Sequence, residues 1–132
     1  MPRTITFALA AAAICLFASS QTMSQAPTRI NFARGSTSAL VTGRLSGYEE
    51  QRSFVLRVRS GQTIRTWQPG DPGPITIAIA DPDGNDVGDM DASCNNRREV
   101  SPTKAGDYVL TVVECRKADE WRGRFNFRVS VK

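Results

Sequence analysis

Strict alternation of apolar and polar side chains in the second half of the chain is the feature that most constrains its fold. In one segment Tyr108, Leu110 and Val112 occupy every second position. The C-terminal segment continues the pattern with Phe125, Phe127, Val129 and Val131. A period of two places such side chains on one face of a β-strand. We predict that these strands form a β-hairpin and that the charged segment between them, residues 114–123, is a tip built for binding.

The same pattern recurs in shorter stretches separated by turn residues. We predict further strands over residues 29–32, 38–45, 52–58, 62–67, 75–80 and 97–100. The three prolines and two glycines of residues 68–74 cannot continue a strand, so this stretch is a loop. No segment shows a helical period. The predicted fold is an all-β antiparallel β-sandwich of about seven or eight short strands, formed by one domain over residues 27–132.

The N-terminal residues are typical of a signal peptide. Arg3 precedes an apolar run over residues 5–18, which is too short to span a bilayer comfortably. We assign residues 1–20 to the signal and leave cleavage after Ser20 or after Ala26 open. A lipoprotein would need a small residue before Cys15, where Ile14 stands. The predicted location is periplasmic or secreted, with no membrane attachment after cleavage.

Removal of the leader changes the cysteine count. The chain has three cysteines, and only Cys94 and Cys115 follow the leader. An even number of cysteines in an oxidising compartment predicts a disulfide bond, which would stabilise a small domain by about 3 kcal/mol. Two separate buried thiols are the alternative.

Composition argues against two broad functions. The formal net charge is +4, and the arginines alternate with acids instead of forming a dense basic stripe, so we predict no nucleic-acid partner. The chain contains no histidine, the commonest general base and metal ligand. We therefore predict no enzymatic activity and no cofactor. A hydrolase that uses another base is the remaining catalytic alternative.

An acidic stretch in the middle of the chain is the candidate metal site. Asp81, Asp83 and Asp86 offer oxygen ligands at short spacing, which calcium could use. The glycine of this stretch comes too early for an EF-hand loop, and the glutamate that closes such a loop is missing. We predict an ordinary solvated turn and no metal, with calcium as the alternative.

Several motifs resemble a known family. They are Gly-Ser-Thr-Ser at 35–38, Gly47-Tyr48, Ser60-Gly61-Gln62, Gly106-Asp107-Tyr108 and the arginine-containing loop that follows. Together they resemble the bacterial periplasmic inhibitors of goose-type (g-type) lysozyme, over most of the chain after the leader. The resemblance implies an antiparallel sandwich whose loop residues occlude the active-site cleft of a goose-type lysozyme.

The resemblance also implies which residues make the contact. The family uses a tyrosine and arginines, which here are Tyr48, Arg116 and Arg122. An arginine can pair with a carboxylate through two hydrogen bonds in a desolvated cleft. Lys117 lends further positive charge, and Trp121 offers a large contact area at low entropic cost. Trp121 packing on its own sheet is the alternative.

A second resemblance concerns the fold more than the function. Gly-Gln-Thr at 61–63, Asp-Pro-Asp-Gly at 81–84 and Gly-Asp-Tyr at 106–108 resemble the β-sandwich domains appended to secreted peptidases. The late loop differs from the inhibitor pattern, because residues 119–121 precede a single arginine. The alternative function is a non-catalytic secreted module that binds carbohydrate, cell wall or calcium.

Overall fold

The computed structural model describes residues 26–47, 50–70, 73–87, 94, 97–115 and 121–132. The predicted signal peptide lies outside these residues, except for Ala26. The described strands are β1 (Thr28–Arg29), β2 (Ser38–Leu45), β3 (Gln51–Val58), β4 (Ile64–Trp67), β5 (Ile75–Ala80), β6 (Asp86–Val87), β7 (Arg97–Val100), β8 (Gly106–Glu114) and β9 (Gly123–Val131). No helix in the described part of the chain is long and apolar enough to cross a membrane.

The strands form two sheets that enclose one core. The five-stranded sheet has the order β1-β3-β8-β5-β6, and the four-stranded sheet has the order β2-β9-β4-β7. All neighbouring strands are antiparallel except β1 and β3. The all-β sandwich predicted from the alternation is confirmed. The described residues form nine strands, slightly more than the predicted seven or eight. Two of the nine, β1 and β6, contain only two residues each.

The predicted hairpin between β8 and β9 is wrong. β8 lies between β3 and β5 in one sheet, whereas β9 lies between β2 and β4 in the other. Each strand buries one face against the opposite sheet, so the period of two is the same as in a hairpin. Residues 115–122 therefore connect the two sheets. Their number is sufficient to bridge the spacing of about 10 Å between packed sheets.

The core is formed by the alternating apolar side chains of both sheets. Three phenylalanines lie at its centre, and the ring centroids of Phe54 and Phe127 are 5.9 Å apart with the rings edge to face. Phe125 stacks on Phe127 at 6.4 Å. Gly43 faces Phe125, and a Cβ atom there would overlap the aromatic ring. The glycine in β2 therefore makes room for a large side chain of β9.

Candidate partner-binding end of the sandwich

Two connections that carry the predicted binding residues begin and end on the same side of the molecule. Leu45, at the end of β2, pairs with Gly123, at the start of β9. Gln51, at the start of β3, pairs with Val113 near the end of β8. The residues that flank segments 46–50 and 115–122 therefore lie together. We call this the Cys115 end: Leu45–Gly47, Glu50, Pro74–Ile75, Cys94, Glu114–Cys115 and Trp121–Gly123.

A disulfide bond ties the Cys115 end. Cys94 is bonded to Cys115, and their Cα atoms are 4.9 Å apart, which confirms the predicted pair. The Cys115 N–H donates to the Pro74 carbonyl at 2.9 Å, and the Cys94 N–H donates to Thr76 Oγ1 at 2.8 Å. Cys115 is 2% exposed. Cys115, at the start of the late loop, is therefore fixed by one covalent bond and one backbone hydrogen bond.

A buried glutamate holds the other side of the late loop. Glu114 is only 2% exposed, and its Oε2 accepts a hydrogen bond of 2.8 Å from the Trp121 N–H. Sequence reasoning did not select this residue, although the signal was present. Glu114 continues the inward-facing series of Tyr108, Leu110 and Val112, so the alternation itself places a carboxyl group at a buried position. A buried carboxylate needs partners, and Trp121 supplies one of them.

Trp121 is partly buried and packs against the hydrophobic core. Its ring also approaches Gly123, where a Cβ atom would come within 3.1 Å of Trp121 Cζ2. The residue therefore packs on its own sandwich, which is the alternative raised from the sequence. Arg122, the next residue in the chain, is exposed. Direct contact of either residue with a partner stays a prediction.

The structure places only part of the predicted binding set. Trp121 and Arg122 are adjacent at the start of β9. Three of the predicted binding residues lie outside the described residues: Tyr48, Arg116 and Lys117. Their positions relative to Arg122 therefore stay predictions. The described residues on either side of Tyr48 do lie at the Cys115 end. The joint site therefore remains a prediction that rests on the position of its flanking residues.

The segment that contains Tyr48 is anchored on its second side. Glu50 Oε2 accepts a hydrogen bond of 2.6 Å from the Ser46 N–H, and Glu50 Oε1 lies 2.5 Å from an Arg52 guanidinium nitrogen. Hydrogen bonding from Ser46, assisted by the charge of Arg52, lowers the pKa of the Glu50 carboxyl. Arg52 Nε also donates to the Arg44 carbonyl at 3.1 Å. These contacts tie the end of β2 to the start of β3, across the two sheets.

The acidic turn considered for calcium lies at the opposite end of the sandwich. Asp81 Oδ1 accepts hydrogen bonds from the N–H groups of Asp83 and Asn85, at 2.9 and 3.0 Å. Lys104 Nζ lies 3.2 Å from Asp81 Oδ2 and 2.9 Å from Asp83 Oδ2. The ammonium group thus occupies the position between two carboxylates that a cation would take. Asp86 is exposed in β6.

The charges of this turn stabilise one another. Burial opposes ionisation of Asp81, but the Asn85 and Asp83 N–H groups and Lys104 outweigh it and lower the pKa of the carboxyl. Hydrogen bonds to Asp83 and Asp81 raise the pKa of Lys104. Within the described residues, no group of three His, Cys, Asp or Glu side chains could hold a metal ion. The calcium alternative stays untested.

Comparison with known proteins gives likenesses of fold. No protein-family model and no curated protein matches the chain. The solved structure of Aeromonas hydrophila PliG, a periplasmic lysozyme inhibitor of g-type lysozyme, is similar with a TM-score of 0.63 and 21% identity, over 80% of this chain and 96% of that one. Salmonella Typhimurium PliG is similar with a TM-score of 0.59 and 18% identity, over 83% of this chain and 100% of that one.

A second group of structures has the same fold. The pre-peptidase C-terminal domain of a Bacillus anthracis collagenase is similar with a TM-score of 0.52 and 20% identity, over 83% of this chain and 97% of that domain. Both resemblances seen in the sequence are therefore confirmed in the structure. The chain is a disulfide-linked β-sandwich with the fold found in the periplasmic inhibitors of g-type lysozyme and in pre-peptidase C-terminal domains.

Proposed function

We propose that this chain is a periplasmic or secreted lysozyme inhibitor that binds a goose-type lysozyme and occludes its active-site cleft with residues of the Cys115 end. The observation that carries the proposal is the shared fold with the PliG inhibitors, which extends over nearly their entire length. The predicted signal peptide and the disulfide bond between Cys94 and Cys115 support a location outside the cytoplasm.

The proposed mechanism follows from what a lysozyme needs in its cleft. Such an enzyme donates a proton from a neutral carboxylic acid to the glycosidic oxygen. A guanidinium group in the cleft would favour the ionised form of that acid and fill the space of the sugar. Arg122 is exposed at the Cys115 end and would take this role, with Arg116 and Lys117 as predicted neighbours. Tyr48 and Trp121 would add contact area around the charge.

The architecture of the Cys115 end supports a preorganised surface. The disulfide bond fixes Cys115, and the hydrogen bond to Glu114 fixes the backbone of Trp121, so both sides of the late loop are held before any partner arrives. Ordering a loop on binding costs free energy, and a loop with fixed ends loses less conformational entropy. This reduction in ordering cost favours affinity without requiring additional contacts.

An inhibition panel tests the proposal directly. The purified chain without residues 1–26 should abolish lysis of peptidoglycan by a goose-type lysozyme at stoichiometric amounts, and should affect a chicken-type lysozyme much less. Unchanged goose-type activity at a large molar excess of the chain would refute the proposed function. Inhibition of the chicken-type enzyme alone would refute the proposed target class.

Two neighbouring arginines offer a matched pair of variants for locating the surface. Arg122 lies at the Cys115 end, and Arg124 is exposed on the outer side of the four-stranded sheet. Arg122→Ala should weaken inhibition by about tenfold or more, as expected for removal of a charge-assisted hydrogen bond. Arg124→Ala should leave inhibition unchanged. Equal inhibition constants for the two variants, with unchanged melting temperatures, would move the interface elsewhere.

Tyr48→Ala tests the second connection at the same end. It should weaken inhibition without changing the melting temperature, because the proposed role of this side chain is contact with the partner. Unchanged affinity of the Tyr48→Ala variant would remove this residue from the proposed interface.

The likeness to the collagenase domain favours a second candidate function. In this alternative the chain is a non-catalytic binding module for carbohydrate, cell wall or calcium. Calcium would then raise the melting temperature, and Asp83→Asn would abolish the increase. Retention on insoluble peptidoglycan together with absence of inhibition would favour this alternative over the leading proposal.

A further inference from the structure

The outer side of the four-stranded sheet carries an unusual concentration of positive charge. The side chains of β2, β9, β4 and β7 that alternate with the buried ones point away from the core on this side. They include five arginines and a single acid. We call this surface the arginine face: Leu40, Arg44, Arg65, Trp67, Arg97, Glu99, Arg124 and Arg128.

An exposed tryptophan lies in the middle of the arginine face. Trp67 pairs with Arg128 of β9 on one side and with Arg97 of β7 on the other. Arg128 in turn pairs with Leu40 of β2, so these four residues form one row across the whole sheet. Two large apolar side chains of the described residues are exposed, and both lie in this row: Trp67 is 44% exposed and Leu40 is 57% exposed. The row combines apolar surface with two positive charges.

A second row places two positive charges directly opposite each other. Arg44 of β2 pairs with Arg124 of β9. Like charges directly opposite each other on neighbouring strands destabilise a sheet. Within the described part of the chain, no carboxylate lies within 4.0 Å of the guanidinium groups of these two residues, of Arg97 or of Arg128. A bound anion would offset this repulsion.

The excess of positive charge on the arginine face is not repeated on the outer side of the five-stranded sheet. On the arginine face, Arg65 pairs with Glu99 at 2.6 Å, which leaves four arginines without an acid among the described residues. The outer side of the five-stranded sheet carries Arg29, Arg57, Asp86 and Asp107, which balance one another. Asp107 there lies within 3.6 Å of both arginine side chains. Among the described residues, the outer side of the four-stranded sheet therefore carries unbalanced charge, whereas the outer side of the five-stranded sheet does not.

We propose that the arginine face binds an acidic glycan, a chain of sugar rings that carries carboxylate or phosphate groups. The flat indole of Trp67 can stack on the apolar side of a sugar ring, and guanidinium groups on both sides of it can each pair two-pronged with an acidic substituent. The Cys94–Cys115 disulfide is typical of a chain outside the cytoplasm, which favours an extracytoplasmic glycan over an intracellular nucleic acid as the anionic polymer. This face contains no residue of the Cys115 end, so the proposal does not depend on lysozyme inhibition.

Calorimetric titration with defined polymers tests this assignment. The probes are polygalacturonate for carboxylates, a phosphorylated mannan for phosphates, and dextran as the neutral control. The wild-type chain should bind at least one acidic glycan, with affinity that falls as the salt concentration rises, and should not bind dextran. The double variant Arg97→Gln/Arg128→Gln should lose at least about tenfold in affinity. Trp67→Ala should also weaken binding, which charge alone does not explain.

A matched variant on the opposite sheet controls for total charge. Arg57→Gln removes one positive charge from an exposed strand position away from the arginine face, and it should leave binding unchanged. Equal weakening by Arg57→Gln and by Arg128→Gln would mean attraction to net charge alone and would overturn the proposal. Absence of binding to both acidic glycans would also overturn the proposal. Tighter binding to an oligothymidylate or to vesicles containing phosphatidylglycerol would assign the face to another class of partner and refute the glycan.

Discussion

The Cys115 end is held by a covalent bond and the buried carboxylate of Glu114, whereas the opposite end is held by the ion pairs of Lys104 with Asp81 and Asp83 and by one buried threonine. We call the latter the Lys104 end: Arg59–Thr63, Asp81–Asn85 and Thr103–Lys104. At the Lys104 end, the Thr103 hydroxyl donates to the Arg59 carbonyl at 2.6 Å and accepts from the Gln62 N–H at 2.9 Å. The proposed binding surface thus lies at the Cys115 end, whose disulfide bond does not depend on the protonation of side chains.

The difference has a physical reason in the local sequence. The Lys104 end contains short turns whose backbone groups pair with nearby residues, such as the Asp81 carboxylate with the N–H groups at 83 and 85. Gly84 adopts φ = 85°, which suits the tight turn. The Cys115 end has longer connections, among them residues 68–74 and 115–122. A long connection that must present fixed side chains benefits more from a covalent link.

Removal of the disulfide should have the largest effect on stability. In the double variant Cys94→Ala/Cys115→Ala, the free energy of unfolding should fall by about 3 kcal/mol, because the unfolded chain regains the entropy that the link removes. Urea denaturation of the variant and of the wild type measures this difference. Reduction of the wild type with a thiol should reproduce it. Equal stability of the reduced and oxidised chains would mean that the Cys115 end is held by its noncovalent contacts.

Glu114→Ala tests the noncovalent part of the Cys115 end. It leaves the Trp121 N–H without its acceptor, so the free energy of unfolding should fall by about 1–3 kcal/mol. The chain has two tryptophans. In a Trp67→Phe background, the emission of Trp121 should therefore shift to longer wavelength as its indole becomes more hydrated. An unchanged emission spectrum would contradict the role assigned to Glu114.

Thr103→Val is the corresponding test at the Lys104 end. Valine keeps the shape of threonine but removes the hydroxyl that bridges Arg59 and Gln62. The free energy of unfolding should fall by about 1–2 kcal/mol because a partly buried carbonyl and a partly buried N–H lose their partner. Thr42→Val, at an exposed position of β2, is the control and should change stability by less than about 0.5 kcal/mol. Equal effects of the two variants would contradict the buried bridge.

The smallest expected effect concerns pH. The pKa of Asp81 is lowered in the folded chain, so this carboxylate stabilises the fold above its ordinary pKa of about 4, and the contribution is lost as the pH falls through the lower folded value. The stability difference between wild type and Asp81→Asn should therefore be present at neutral pH and shrink on acidification. Denaturation at several pH values measures it. A difference that is constant between neutral and strongly acidic pH would mean that ionisation of Asp81 does not stabilise the fold.

Prediction from the sequence succeeded where the signal is local and failed where it is not. The alternation of Phe54, Leu56 and Val58, like that of β8 and β9, correctly identified strands and their buried faces. The even cysteine count after the predicted leader correctly gave the pair Cys94 and Cys115. The pairing of β8 with β9 was wrong because the period of a strand is the same whichever partner lies beside it.

The candidate binding residues were only partly accessible to such reasoning. Arg122 was predicted from the family resemblance and its charge and stays a prediction. Glu114 was not predicted, because a charged side chain is typical of an exposed loop, whereas this carboxyl lies in the buried phase of a strand. Trp121 was expected as an exposed anchor and is instead partly packed on the core. The sequence contains no local signal for that packing, because it depends on the close approach of Trp121 to Gly123 at the entry of β9.

By itself, the sequence determined the class of fold, the inward face of the clearly alternating strands β3, β5, β8 and β9, and the disulfide pair, since these depend on periodicity and on the count of cysteines. Only the tertiary structure decided that β8 and β9 belong to different sheets, and that Trp67 lies between Arg97 and Arg128. Each of these arginines is an ordinary solvent-facing residue in its own strand. The register between strands far apart in the chain brings them together, and it is set by burial of both inner faces at once.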